Sequence, residues 1–554
     1  MEYFLCTCNH AHLTSALFKK WDNRWSETLD NTGFLFWLRV AQGLPLSVFI
    51  RKKQNKSGSV SFHIVRKLQG KQILVKSVGS AKSKYDIEKL AYAARHELDL
   101  LKRQSRLELD YDLDKEFVEN FLNNIRHIEV SGVELILGKL FDEIGFNALK
   151  NPLFRHLVLS RICYPGSKLK TVEYLLRHHQ IMYEVDAVYR YLDKLTDKHK
   201  EQIQDIGYHH TLGIFNGKIS VLFYDVTTLY FEAADEDDLR KTGFSKDGKA
   251  QHPQIVLGLL VSEQGYPLAF EMFEGNTFEG KTMLPVIDGF KQKYKLKNII
   301  VVADAGLLSN KNIEQLKKQQ EQFILGARIK NESHALQKEI TQAKWKNGQT
   351  RCYTKDKDVK LIVSYADARF EKDKHNREKG LKRLEKLIRT GKLTKHQINN
   401  RGYNKYLKLE GDVKIKIDYD KFNADNKWDG LKGYLTNANL SDDEVINHYK
   451  QLWHIEKAFR ISKTDLKIRP IYHRLAHRIQ AHLIIAFCSY KVYKELERQL
   501  KIKQSALSTA KAIAVMQSIY TLGITLPASQ KQVKLIWAKT EEQKNLLTLF
   551  EIKF

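Results

Sequence analysis

Three acidic residues in this sequence stand in local settings that suit metal-assisted chemistry on a phosphodiester. Asp225 and Asp304 each follow a short apolar run typical of a buried strand, and Glu456 lies in a stretch with helical periodicity. The carboxyl ends of neighbouring strands meet at one edge of a sheet, where ligands commonly bind. Carboxylate oxygens suit Mg²⁺, and two such ions can activate a water or a 3′-hydroxyl and stabilise the departing oxygen. The three residues therefore predict a divalent-metal centre, although a lone aspartate at a strand end is more often a cap or a turn residue.

The stretch around Glu456 carries a second pattern. Tyr449, Glu456 and Lys463 are spaced by seven residues. On a continuous α-helix they would share one face at intervals of about 10.5 Å. Leu452 and Phe459 flank that face and could pack on a sheet. Such a face suits a carboxylate that holds metal between a hydroxyl and an ammonium that contact phosphates. An amphipathic helix with solvated charges is the alternative.

The charge balance of the chain favours a polyanionic partner. The 554 residues include 92 Lys and Arg against 65 Asp and Glu, a formal net charge of +27. An excess spread along the whole chain indicates nucleic acid more than a small acidic ligand. Five cysteines provide no disulfide framework. We therefore expect a cytoplasmic protein with no membrane segment.

The order of predicted elements indicates an α/β protein with a mixed sheet covered by helices. Its length predicts roughly three to five structural units. The boundaries follow from changes in residue pattern. The predicted segments are an N-terminal extension of unclear role (1–48), a DNA-binding region with a basic hairpin and then helices (49–205), the first part of the catalytic core (206–330), a β-rich insertion (331–435), the second part of the core with the Glu456 helix (436–500) and a C-terminal helical tail (501–554).

Two segments have more than one interpretation. Residues 151–195 contain three short helices, which either form a helix-turn-helix-like unit that enters a DNA groove or pack as a bundle on the next domain. The basic loop 241–249 follows the first predicted catalytic strand. It either lies over DNA or is solvated.

These motifs resemble those of bacterial insertion-sequence DDE transposases. The resemblance rests on FYDVTTLYF at 223–231, on ADAG at 303–306 and on the spacing of Tyr449, Glu456 and Lys463. It points to the subgroup with a β-rich insertion and the signature Y-x2-R-x3-E-x6-K, and it covers roughly residues 49 to 500.

Several expectations follow from the resemblance. It implies an RNase H-like catalytic core that uses Mg²⁺ or Mn²⁺, with Asp225, Asp304 and Glu456 as catalytic residues and metal ligands. Tyr449 and Lys463 would contact DNA phosphates. The expected partners are double-stranded DNA, as terminal inverted repeats and as target, and a second copy of the chain in the synaptic complex. The expected location is the bacterial cytoplasm, in association with the nucleoid.

The sequence departs from the signature at one position. Leu452 stands where the family has arginine, so that phosphate contact is missing or is supplied by another residue. Arg460, one turn beyond Glu456, is a candidate for DNA binding, as is Lys457.

Trp428 is a further candidate for DNA contact. Some relatives carry a tryptophan on the insertion, before the glutamate helix, that stacks on a base flipped from the DNA end. Stacking on an aromatic side chain would supply the physical reason for such a role here. A buried packing tryptophan is the alternative.

The expected activity is binding of the inverted repeats, metal-dependent cleavage and joining of 3′-hydroxyl ends to target DNA. An endonuclease of the same fold that cuts without joining is one alternative. A non-catalytic DNA-binding protein from a decayed element is another, but the three intact acids count against it. Tyr449 as a covalent nucleophile is the rival mechanism, and its alignment with Glu456 and Lys463 favours a contact role instead.

Overall fold

The computed structural model describes residues 48–68, 70–104, 118–119 and 121–554, apart from gaps at 234, 247, 308, 394–397, 400–401, 411–413 and 527–528. The predicted extension 1–48 lies outside the described residues except for its last one. The chain divides into two compact units, Met1–Leu122 and Asn123–Phe554. The predicted region 49–205 therefore does not form one unit, because most of its helical part belongs to the second.

The first unit contains an antiparallel sheet of three strands followed by a helix. The elements are β1 (Val48–Gln54), β2 (Val60–Leu68), β3 (Lys71–Ala81) and α1 (Lys84–Gln104). Leu68 pairs with Lys71 across a two-residue loop, so the predicted basic hairpin forms. Strand β1 adds to the other side of β2.

The second unit combines many helices with a large mixed sheet. In chain order, its strands are β4 (Ile125–Val130), β5 (Val221–Tyr230), β6 (Gln254–Ser262), β7 (Pro267–Glu274), β8 (Ile300–Ala303), β9 (Gln322–Ala327), β10 (Thr350–Asp356), β11 (Val359–Tyr365), β12 (Leu407–Glu410), β13 (Lys414–Ile417), β14 (Leu431–Thr436), β15 (Tyr520–Thr525) and β16 (Gln532–Trp537). Its α-helices are α2 (Lys139–Ile144), α3 (Pro152–Cys163), α4 (Lys168–His179), α5 (Val185–Lys194), α6 (Asp197–Ile214), α7 (Met283–Tyr294), α8 (Asn310–Lys318), α9 (His334–Gln342), α10 (Asp367–Arg389), α11 (Tyr419–Ala424), α12 (Asp442–Lys450), α13 (Trp453–Arg460), α14 (Ala476–Ile502), α15 (Thr509–Met516) and α16 (Glu541–Leu549).

The large sheet has the strand order β10-β11-β14-β9-β8-β5-β6-β7. Strands β5, β8 and β9 are parallel, and the remaining neighbours pair antiparallel. Three of the strands, β10, β11 and β14, come from the predicted insertion 331–435, so this part of it extends the core sheet. The small sheet of β12 and β13 has a separate hydrophobic cluster with α10 and α11.

Helices cover both faces of the large sheet because its strands are rich in aliphatic residues that alternate between two cores. Side chains of α7, α8 and α9 pack on one face. Side chains of α12, α13 and α14 pack on the other face, where α3 and α5 join them. The Ser489 hydroxyl of α14 donates to the carbonyl oxygen of Val158 in α3 at 3.0 Å. These contacts agree with the bundle alternative for residues 151–195.

The C-terminal segment differs from the prediction of a helical tail. Strand β15 pairs with β16 and also with β4, nearly 400 residues earlier in the chain (Tyr520 opposite Val130). Among the described helices, none combines the length and the apolar character needed to cross a membrane.

Candidate active site

The register of two parallel strands brings Asp225 and Asp304 together. Tyr224 of β5 pairs with Ala303, the last residue of β8. Asp225 directly follows Tyr224, and Asp304 directly follows Ala303. Neighbouring strands lie about 4.8 Å apart. The sequence suggested that Asp225 ends its strand, but β5 continues to Tyr230. Asp225 lies where the neighbouring strand stops.

The helix that carries Glu456 packs on the face of the sheet that Asp225 shares. Side chains of a strand alternate between faces, so Asp225 lies on the same face as Phe223. Phe223 belongs to the same core cluster as Ile455 and Phe459 of α13. Glu456 follows Ile455 and is exposed, so packing of its neighbours holds it beside the sheet while its own carboxylate remains accessible.

The helix predicted over 449–463 is interrupted. Tyr449, Glu456 and Lys463 lie in three segments, namely α12, α13 and a π-helical stretch, Ile461–Asp465. Leu452 lies in the break between the first two and is only 6% exposed. The three polar residues therefore do not share the face of one continuous α-helix, because they lie on two separate α-helices and on a π-helical stretch with a wider turn.

Tyr449 holds Asp304 from the side of α12. Its hydroxyl donates a hydrogen bond to Asp304 Oδ1 at 2.7 Å, and its side chain is 5% exposed. Burial and the neighbouring Asp304 carboxylate raise the pKa of the Tyr449 hydroxyl. A Cβ atom on Gly326 would overlap this hydroxyl and lie 2.9 Å from the Ala305 nitrogen. The contact therefore requires glycine on the adjacent strand β9.

Lys432 on β14 brings a cation next to Tyr449. Its ammonium lies 4.4 Å from the centre of the Tyr449 ring. Burial lowers the pKa of Lys432 and so does Arg369, while Asp304 and Glu456 act in the opposite direction. Asp304 and Glu456 also both raise the pKa of Tyr449. Asp304 and Glu456 therefore contribute to the electrostatic environment of both Lys432 and Tyr449.

Asp225 is the most shielded of the three acids. Its Oδ1 accepts a hydrogen bond from the Val226 amide at 2.8 Å and lies 3.6 Å from Lys246 Nζ. Burial raises the pKa of Asp225 from 3.8 to about 6, although Lys246 and the Val226 amide lower it. The Asp304 and Glu279 carboxylates raise this pKa further. Negative charge is therefore concentrated around Asp225.

The three acids fit a divalent metal in their donor chemistry. They offer the hard oxygen ligands that Mg²⁺ and Mn²⁺ take, at a partly open edge of the sheet. In the part of the chain that the structure describes, no group of three His, Cys, Asp or Glu side chains converges closely enough to hold an ion. Asp225, Asp304 and Glu456 are the residues that would hold it, with further approach of their side chains.

A cavity of about 810 Å³ opens beside Asp304 and runs along the edge of the sheet. Trp428 lines it but is only 7% exposed, and its ring lies 5.7 Å from Lys330 Nζ and 5.9 Å from Lys427 Nζ. The cationic side chains that line the cavity are Arg328, Lys330, Arg369, Arg377, Lys405 and Lys432. Asp373, Asp425 and Asp429 also line the cavity and form ion pairs with four of these cations. Aromatic surface and a partly compensated positive charge therefore continue outward from the acids.

Comparison with known proteins gives one match to a family model. Residues 216–491 match the family model described as the transposase DDE domain. This match supports a DDE transposase. It includes Asp225, Asp304 and Glu456. A search of solved structures finds weak similarity to a cryo-EM structure of the piggyBac transposase synaptic complex with hairpin DNA, with 10% sequence identity, a TM-score of 0.36 and coverage of 72% of this chain and 79% of that chain. No curated protein matches the sequence.

The remaining candidates for DNA contact lie at different depths. Arg460 is exposed at the end of α13, whereas Lys463 is half-buried in the π-helical stretch. Lys457 forms an ion pair with Glu497. Leu452, at the position of the signature arginine, packs in the core.

Three residues near the candidate acids were not among the predicted site residues. Lys432 and Glu279 follow no motif and reach the site only through the fold. Lys246 belongs to the basic loop whose two interpretations were DNA contact and solvation. In the structure the loop places the Lys246 ammonium beside Asp225. The only sequence signal for this was the position of the loop after the first strand predicted to be catalytic.

Proposed function

We propose that this chain is the transposase of an insertion sequence. It binds the terminal inverted repeats, cleaves DNA by metal-dependent phosphodiester hydrolysis and joins the 3′-hydroxyl ends to target DNA. The observation that carries the proposal is the parallel register that sets Asp225 beside Asp304, on the face to which the Glu456 helix packs. The match of residues 216–491 to the transposase DDE domain supports it.

The strand order supports an RNase H-like core. Five neighbouring strands of the sheet have the order β7-β6-β5-β8-β9. Strand β6 is antiparallel to both β7 and β5, whereas β8 and β9 are parallel to β5. This is the arrangement expected for an RNase H-like sheet, with Asp225 in β5 and Asp304 directly after β8 at its centre. Strands of the insertion then extend the sheet beyond β9.

The residues of the chain have distinct roles in this mechanism. Divalent ions, when bound, supply an activated water or 3′-hydroxyl and stabilise the departing oxygen. Tyr449 fixes the Asp304 carboxylate through its hydrogen bond. Lys432 and Arg369 carry positive charge along the cavity wall next to Asp304 and bind phosphate oxygens of the DNA end.

A covalent tyrosine mechanism has little support. The Tyr449 hydroxyl is buried, donates to a carboxylate and has a raised pKa, all of which oppose formation of a phenolate nucleophile. Direct attack by water or by a 3′-hydroxyl needs no nucleophile from the protein.

DNA binding rests on charge and on the cavity. The net charge of +27 and the basic cavity wall suit a phosphate backbone. Arg460, Lys463 and Trp428 are the further contacts that we propose, with Trp428 available to a base only if its pocket opens. A second copy of the chain would bind the second DNA end in a synaptic complex.

The test is an assay of cleavage and joining. A labelled duplex that carries the element's own end is incubated with Mg²⁺ or Mn²⁺ and wild type, Asp304→Asn or Asp443→Asn. Asp443 is an exposed acid in the first turn of α12 and serves as the matched control. We expect metal-dependent nicking and longer joined products with wild type and Asp443→Asn, and neither with Asp304→Asn. Nicking without joined products would indicate an endonuclease, and binding without cleavage would contradict the proposal.

A further inference from the structure

Lys246 places a positive charge among the carboxylates of the site. Its ammonium donates to the Val226 carbonyl oxygen at 2.7 Å and lies 3.1 Å from Glu279 Oε1 and 3.6 Å from Asp225 Oδ1. The side chains of the lysine, Asp225 and Glu279 are 31%, 18% and 24% exposed. This partial shielding from solvent makes their interaction stronger than that of a surface pair.

The loop that carries Lys246 is fixed to the sheet by backbone contacts. The Lys246 amide donates to Thr228 Oγ1 at 3.2 Å. The buried Gln254 amide nitrogen donates to the carbonyl oxygens of Phe244 at 3.0 Å and Gly275 at 2.9 Å. A side chain on Gly275 would overlap the Gln254 and Lys241 carbonyl oxygens. The loop and the turn after β7 are therefore held together, which brings Lys246 to Glu279.

The turn that carries Glu279 is fixed in turn to the segment after Asp304. The buried Asn312 side chain donates to the carbonyl oxygens of Gly280 at 2.7 Å and Leu307 at 2.9 Å. A Cβ atom on Gly306 would lie 3.2 Å from Glu279 Oε2. Glu279 thus occupies the space between the Asp304 segment and the Lys246 loop.

We propose that Lys246 is a tethered cation that competes with a divalent metal for Asp225, and that Glu279 is the positioning residue that anchors it. Lys246 neutralises Asp225 before metal binds. When metal binds, its ammonium leaves Asp225 and remains on Glu279 and the Val226 carbonyl, which are its two shorter contacts. This inference rests on the proposed function, because it assumes that Asp225 is a metal ligand.

The experiment measures Mn²⁺ affinity by electron paramagnetic resonance of the free ion, on the full chain without DNA. The variants are Lys246→Met, Lys246→Arg, Glu279→Gln, the double variant Lys246→Met/Glu279→Gln and Asp225→Asn. Lys249→Met is the matched control, since Lys249 is an exposed lysine close by whose ammonium lies 5.6 Å from the Tyr230 ring centre instead of at the acids. Thermal unfolding of each variant verifies that it is folded.

We expect Lys246→Met to bind Mn²⁺ about fivefold more tightly, the order of one partly exposed ion pair. Lys246→Arg and Lys249→Met should keep the wild-type affinity. Glu279→Gln should bind more weakly, because Lys246 then pairs with Asp225 alone. The double variant should match Lys246→Met, because an anchor has no effect once the ammonium is gone.

Unchanged or weaker Mn²⁺ binding in Lys246→Met would overturn the proposal that Lys246 competes with the metal for Asp225. A double variant about tenfold weaker than Lys246→Met, the size expected when a metal-site group is lost, would overturn the anchoring role and make Glu279 itself a ligand. Undiminished Mn²⁺ binding in Asp225→Asn would instead contradict the proposed metal centre, so failure of the inference and failure of the proposed function are separable.

Discussion

The two sides of the candidate active site are constructed differently. On the strand side, register and hydrogen bonding of β5 and β8 fix Asp225 and Asp304 next to each other. On the helix side, Glu456 depends on packing of α13, whose neighbours α12 and the π-helical stretch are separate helical segments. Backbone pairing therefore defines one pair of acids, and side-chain packing alone defines the position of the third.

The largest effect should come from loosening the helix side. Phe459 is 7% exposed and packs in the main core. Phe459→Ala should lower the free energy of unfolding by about 3–5 kcal/mol, the usual cost of emptying a phenylalanine site. Urea denaturation measures this change. Phe244→Ala, at a 77% exposed phenylalanine, is the control and should change stability by less than about 0.5 kcal/mol. Equal losses of unfolding free energy in both variants would argue against packing of Phe459 as the interaction that holds α13 in place.

Removing charge from either side should affect catalysis similarly. Glu456→Gln and Asp304→Asn should each lower the cleavage rate by at least about 100-fold, since loss of even an outer-shell partner of a metal costs 10–100-fold. Single-turnover cleavage of the labelled duplex measures the rates. If Glu456→Gln retains the rate of wild type while Asp304→Asn does not, the helix side is not part of the catalytic centre.

The strand side should show a pH signature in stability. The pKa of Asp225 is raised from 3.8 to about 6, so folding favours its protonated form. This contribution is fully present below the unfolded pKa and is lost as pH rises through about 6. Relative to Asp225→Asn, wild type should therefore lose about 2–3 kcal/mol of stability between pH 4 and pH 7. Denaturation across that range measures it, and a constant difference between the two proteins would exclude a raised pKa.

The smallest effect should come from the contact between the two sides. Tyr449→Phe removes the hydrogen bond to Asp304 and should lower the cleavage rate about tenfold, as for an outer-shell group that orients a metal ligand. Tyr434→Phe is the control, because Tyr434 is also buried and its hydroxyl interacts with Ser364 at 3.4 Å instead of with an acid. A rate loss in Tyr434→Phe as large as in Tyr449→Phe would assign the effect to general packing.

Local sequence pattern was sufficient to predict the strands that carry the strand side of the site. The apolar runs before Asp225 and Asp304 form paired strands, and the three helices predicted over 151–195 are α3, α4 and α5. These elements depend on hydrophobic periodicity and on nearby turn residues such as Pro165 and Gly166. The sequence could not reveal that β5 continues past Asp225, because that depends on pairing with β6.

The errors arise where contacts distant in sequence decide the structure. Seven-residue spacing predicted one helix from Tyr449 to Lys463, but the chain forms two α-helices and a π-helical stretch there. Strands β10, β11 and β14 join the core sheet and β15 pairs with β4, which no local period encodes. Lys246 contacts both Glu279 and Asp225 in a region where Gln254 and Asn312 connect separate turns.

The most direct test of the metal centre is a crystal structure of the full chain with Mn²⁺ and anomalous diffraction data. We predict an anomalous peak at the sheet edge between Asp225 and Asp304, with the Glu456 carboxylate moved to within ligand distance. A peak at another group of residues, or Glu456 directed away from a peak at the two aspartates, would contradict a centre made of these three acids.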